Sequence, residues 1–65
     1  MKILLWENRR MRGVTLEKLA EISGISKSTL QRIESELTSP TMENMEKIAM
    51  ALNVGINDLY DSDYK

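Results

Sequence analysis

Neither cysteine nor histidine occurs in the 65 residues. Their absence excludes disulfides, thiol nucleophiles, imidazole bases and nearly all transition-metal sites. No pair of side chains offers a nucleophile with a neighbouring base, so an enzyme is not expected. Long apolar runs are also missing. The longest early one, Ile3 to Trp6, falls far short of a signal-peptide core of about 7 to 15 residues. Neither a leader nor a membrane span is expected, and the cytoplasm is the default location. Internal repeats, linkers and low-complexity segments are absent. No cofactor, second domain or small-molecule site is indicated. What is present, 42% hydrophobic residues with a single Pro and three Gly, describes one folded globular domain over residues 1–65 and not a disordered tail. A chain this short buries roughly 60% of its surface and is expected to be marginally stable.

The net charge of −1 argues mildly against a nucleic-acid partner until it is divided by position. Residues 1–34 carry seven basic and four acidic side chains, a balance of +3; residues 35–65 carry two basic and six acidic, a balance of −4. The local field at a contact face decides steering, so the basic half can still meet a polyanion.

The stretch Thr15 to Glu34 organises the rest. Thr15 precedes Leu16, Leu19, Ala20 and Ile22, whose spacing of three and four makes the apolar face of a short helix capped by the Thr hydroxyl. Gly24 suits a left-handed residue after that helix, and Ser26 is a second N-cap two residues on. In the helix that follows, about 26–35, Leu30 and Ile33 face the core. A wheel at about 100° per residue turns Ser28, Gln31, Arg32 and Ser35 outward, with Lys27 at the N-terminal edge. Two short helices joined by a Gly-containing turn, with small Ala20 at their close approach, form a helix-turn-helix. Lys27, Ser28, Gln31 and Arg32 are the residue types that read base edges in the major groove of double-stranded DNA: Arg and Lys for guanine O6 and N7, Gln for adenine, Ser for a base edge or phosphate. Arg10, Thr15, Ser26 and Thr29 are the candidates for backbone contacts. A polar outer face on an arbitrary amphipathic helix is usually just solvated; the turn geometry and short second helix favour the reading role here.

At these residues the chain resembles the Cro/phage-repressor-type helix-turn-helix domains, the XRE-like or lambda-repressor-like group. The resemblance runs from Leu5 to Tyr60 through Arg9, Gly13-Val14-Thr15, Leu19-Ala20, Gly24-Ile25-Ser26, Leu30, Ile33-Glu34, Pro40, Ile48-Ala49, Leu52, Val54 and Leu59-Tyr60. It implies an all-α, compact five-helix bundle with the helix-turn-helix (helices 2 and 3) at its centre. It further implies DNA binding and a homodimer on a two-fold-related operator. It pairs Arg9 of helix 1 with Glu34 at the end of helix 3, tying the reading helix to the scaffold. Dimer contact is expected around Met50, Val54, Ile56 and Tyr60. Two positions depart from the group's pattern. Leu16 stands where many relatives carry a DNA-contacting Gln. Glu36 takes the place of a Gly in Ser35–Pro40, a loop without the usual cations, where a carboxylate would repel DNA. Acidic Glu36, the missing loop cations and the surplus apolar residues in helix 1 support an alternative: a protein-interaction module or antirepressor-like subunit that kept the fold.

The remaining elements follow from periodicity. Helix 1 is expected over about Lys2–Arg12, ending at Gly13. A helix cannot bury all of Ile3, Leu4, Leu5 and Trp6. The resemblance puts Leu5 at the group's buried position, which leaves at least one of Leu4 and Trp6 partly exposed, covered by the C-terminal residues or by a partner subunit; the alternative is that Trp6 closes the edge of the core. Helix 4 begins near Thr41, capped by Ser39 or Thr41, and Met42, Met45, Ile48, Ala49 and Leu52 trace its core face. The methionines are read as core filling, with Met50 the exception. Asn53 ends helix 4, Ile56, Leu59 and Tyr60 make a short fifth helix, and residues 61–65 fray.

Overall fold

Hydroxyl caps set three of the four α-helix starts in the computed structural model, which describes all 65 residues. Helix α1 spans Leu5–Arg12, α2 Leu16–Ser23, α3 Lys27–Glu34 and α4 Met42–Leu52. Thr15 Oγ1 accepts from the Lys18 amide, Ser26 Oγ from the Thr29 amide and Thr41 Oγ1 from the Asn44 amide, each satisfying one of the helix's unpaired N–H groups. Thr41, not Ser39, is thus the cap of α4, and Pro40 lies just outside that helix. The ends are as local: Gly13, Gly24 and Asn53 adopt left-handed backbone at φ 65°, 76° and 57°.

Eleven buried apolar side chains form one core: Ile3, Leu5, Leu19, Ile25, Leu30, Ile33, Met45, Ile48, Ala49, Leu52 and Leu59. Leu19 and Leu30 are wholly excluded from solvent. Burying such a side chain contributes about 1.5–3 kcal/mol, so these two fix α2 against α3. Ala20 sits half-buried at the periphery of the same cluster.

Several expectations are corrected. There are four α-helices, not five. Ile56–Leu59 is a single 3₁₀ turn, and Tyr60 leaves it to enter a short strand. That strand, β2 (Tyr60–Asp61), pairs antiparallel with β1 (Lys2–Ile3), Lys2 opposite Asp61 and Ile3 opposite Tyr60. Helix α1 therefore starts at Leu5 rather than Lys2, since the first residues are spent on the strand pair, and Leu4 donates its amide to Leu59 O at 2.8 Å. Asp61 is held in the strand instead of fraying. Met42 is exposed, being the first residue of α4 and one turn beyond the packed segment; Met1 and Met11 are exposed as well, so of the methionines only Met45 is core. Ile22 is exposed on the flank of the stripe made by Leu16, Leu19, Ala20 and Ser23. Trp6 is exposed and Leu4 half-buried. No helix is long and apolar enough to cross a membrane.

Candidate nucleic-acid interface

The core side of α3, Leu30 and Ile33, leaves Lys27, Ser28, Gln31 and Arg32 together on the solvent side, all four exposed. Two ion pairs hold this helix. At its C-terminal end Arg9 Nε and Nη2 donate to the two carboxylate oxygens of Glu34, both at 2.9 Å, and Arg9 Nη1 donates to Val14 O at 3.0 Å. The Arg9 and Glu34 side chains are 15% and 16% exposed. One guanidinium thus ties α1, the segment leading into α2, and the end of α3 with three hydrogen bonds, a geometry that its planar fork favours. At the N-terminal end Lys27 Nζ donates to Glu17 Oε2 at 2.8 Å across the turn between α2 and α3. The Lys27 bond, the Glu17 backbone amide and the Lys27 charge together hold the Glu17 carboxyl below the ordinary glutamate range.

The distribution of unpaired charge follows. Each of the four carboxylates in residues 1–34 meets a cation of the same half: Glu7 with Lys2, Glu17 with Lys27, Glu21 with Lys18 and Glu34 with Arg9. The +3 balance of this half is therefore carried by Arg10, Arg12 and Arg32. Of these, Arg32 lies on the outer face of α3. Arg10 lies over the Trp6 ring, 5.1 Å from its centroid. That contact gives the exposed Trp6 a partner and restrains Arg10.

The hydroxyl candidates are already engaged. Ser26 Oγ donates to Thr29 Oγ1 at 2.8 Å while accepting from the Thr29 amide, so its proton is committed within the protein. The Thr15 hydroxyl accepts as a cap and keeps its own proton to donate, as does that of the half-buried Thr29. Of the residues assigned to a dimer contact, Met50 is exposed on α4, whereas Val54, Ile56 and Tyr60 are half-buried against the core. Tyr60 is further covered by Lys65, whose Nζ lies 5.0 Å from the ring centroid.

Glu36 is the residue whose part could not be inferred. It adopts φ 59°, the left-handed conformation that a Gly fills at lower cost, immediately after α3. The Glu36 amide donates to Ile33 O and the Leu37 amide to Arg32 O, the paired bonds of a Schellman helix end. Its side chain reaches 33 residues back in sequence, where Oε1 accepts the Ile3 amide at 2.7 Å. The carboxylate thus completes the free edge of β1. A second clip, Asn8 Nδ2 donating to Leu4 O and Asp58 O, fastens α1 to the 3₁₀ turn. Only the Gly-site departure pointed to Glu36, and nothing pointed to its partner.

A four-helix domain with a capped helix–turn–helix at its centre and the second helix exposed along one polar face defines a helix-turn-helix domain of the Cro/repressor type. Residues 7–59 match the helix-turn-helix family, and the chain belongs to it. It is 48% identical to the HTH-type transcriptional regulator SutR of Escherichia coli over 46 residues, 71% of this chain and 26% of that protein. It is 36% identical to the HTH-type transcriptional regulator SinR of Bacillus subtilis over 58 residues, 88% of this chain and 52% of that protein. The chain thus spans about a quarter to a half of these relatives' lengths. The crystal structure of SinR, the master regulator for biofilm formation, in complex with DNA superposes with a TM-score of 0.81 at 34% identity, covering 88% of this chain and 92% of that one.

Proposed function

We propose that this chain is a sequence-specific DNA-binding transcriptional regulator that lays α3 in the major groove. The observation that carries the reading is the exposed face of α3, where unpaired Arg32 stands beside Gln31 and Ser28 on a helix clamped from behind by Arg9 and Glu34. Arg32 and Lys27 suit guanine, Gln31 adenine, and Ser28 either a base edge or a phosphate. Arg10, Thr15 and Thr29 supply backbone contacts; Ser26 acts chiefly as the cap of α3, its hydroxyl bonded to Thr29. Similarity to regulators, one of them solved on DNA, supports the same reading. The protein is not an enzyme and works in the cytoplasm, where its operator lies.

One domain of this size reads few base pairs, so the active species is a two-fold dimer whose reading helices sit about 34 Å apart on a palindromic site. Met50, Val54, Ile56 and Tyr60 form the contact. Three of these already pack on the core, so the interface is small and forms on the operator. Selection from a random duplex pool tests the reading: a palindromic sequence should emerge. Arg32→Ala should then cost about 1–3 kcal/mol on the selected site and relax the preference at one base pair per half-site. Equal losses on selected and random duplexes would make Arg32 a phosphate contact. Failure of every duplex to bind above the non-specific level at low salt would replace this reading with the protein-interaction module.

A further inference from the structure

Glu17 is the second residue of α2 and Lys27 the first of α3, so their 2.8 Å bond spans the N-terminal ends of both helices. Both side chains are more than half exposed. A lysine ammonium is a compact charge with three donors on a flexible stem, able to change partner without disturbing the backbone. A phosphate that approaches Lys27 meets a charge already matched by Glu17. To bind it, the phosphate must displace Glu17 and leave that carboxylate beside a polyanion. On a site that the docked helix fits, Lys27 reaches guanine O6 and N7 together while Gln31 and Arg32 make their own base contacts, and this set offsets the loss of Glu17; a non-specific encounter makes none of those contacts. The other cation on this helix, Arg32, has no such competitor.

We infer that Glu17 is a specificity-determining residue of this domain: by holding Lys27 it removes one cation from indiscriminate phosphate binding and releases it only on a sequence that offers a base acceptor. The inference rests on the DNA-binding reading above.

The test is a double-mutant cycle of the 65-residue chain comprising wild type, Glu17→Gln, Lys27→Met and the double variant. Each is titrated with a random-sequence duplex and with the selected site across a salt series, after circular dichroism has shown unchanged helix content. Glu17→Gln should raise random-duplex affinity several-fold and steepen the slope of log K against log salt by about 0.9, the signature of one more neutralised phosphate. Affinity for the selected site should rise less, so discrimination falls. In the Lys27→Met background the same substitution at Glu17 should change neither the affinity nor the slope. An equal gain with and without Lys27 would mean that Glu17 merely repels DNA and would overturn the inference, as would no gain in either background. The cycle is read on the random duplex, so a protein that prefers no sequence would fail the regulator reading while the coupling between positions 17 and 27 is still measured.

Discussion

The two ends of α3 are both tied by a carboxylate and a cation, yet the ties differ in kind. At the C-terminal end the Arg9–Glu34 pair is bidentate, mostly shielded, and braced by a third hydrogen bond to Val14 O. At the N-terminal end Lys27 makes one bond to Glu17, and both side chains lie in solvent. Shielding strengthens a charge pair and raises the loss when one partner is removed, whereas water and salt screen an exposed pair. The first is therefore a fixture that sets where α3 points. The second is a contact that DNA can exchange. A reading helix needs both: a fixed axis and side chains free to change partner.

Removing a partner from the shielded end should have the largest effect. Glu34→Ala leaves the Arg9 guanidinium without its carboxylate and should cost about 1–3 kcal/mol in urea unfolding, with weaker DNA binding because α3 loses its brace. A cycle with Arg9→Ala should give a clear coupling energy. Coupling near zero would reduce this pair to a surface contact and erase the contrast between the two ends.

A smaller effect is expected just beyond the same end, at Glu36. Its left-handed backbone costs about 1 kcal/mol relative to Gly, and its bond to the Ile3 amide returns about as much. The three substitutions separate these terms. Glu36→Gln keeps an acceptor and the same backbone, and should cost little. Glu36→Gly loses the bond but relieves the backbone, and should cost less than Glu36→Ala, which loses the bond and keeps the strain. Faster amide exchange at Ile3 should accompany both Gly and Ala. A Glu36→Ala variant as stable as the wild type, with Ile3 still protected, would show that the carboxylate does not hold β1.

The contrast between the ends also marks what could be read from residue order. Caps and terminators are local signals, so Thr15 and Gly24 announced both limits of α2, Ser26 the start of α3, and Gly13 and Asn53 the ends of α1 and α4, and the outer face of α3 followed from its wheel. The pairing of Arg9 with Glu34 entered through resemblance, supported by Glu34 lying beside Leu30 and Ile33. What escaped depends on tertiary placement. Two-residue strands have no periodicity to detect, so Lys2–Ile3 read as the start of α1 and Tyr60 as part of a helix. The bond from Glu36 to Ile3 joins residues 33 apart through backbone that no pattern links. Met42 and Ile22 satisfied an apolar spacing and still lie outside the core. Spacing gives the angle of a side chain about its helix but not whether a neighbour covers it there. The Glu17–Lys27 bond likewise needs the angle between α2 and α3, which the turn alone does not specify.

The smallest expected effect belongs to the exposed end and sharpens the comparison through pH. The Glu17 carboxyl is held below the ordinary glutamate range, first by the hydrogen bond from Lys27, then by its own backbone amide and the Lys27 charge. A group whose pKa is lower in the folded than in the unfolded chain stabilises the fold above its unfolded value. That contribution is lost as pH falls through the lowered folded value. Solvent reaches both partners, so the contribution is small. Lys27→Met should return the Glu17 titration, followed by carboxyl carbon shifts in NMR, most of the way toward the ordinary value while lowering the thermal midpoint at neutral pH only slightly. The residual depression after Lys27→Met would come from the backbone amide and from Arg9, the more distant cation acting on it. A thermal midpoint that falls with Lys27→Met as far as with Glu34→Ala would show that the N-terminal pair is a second fixture, and α3 would then be clamped at both ends.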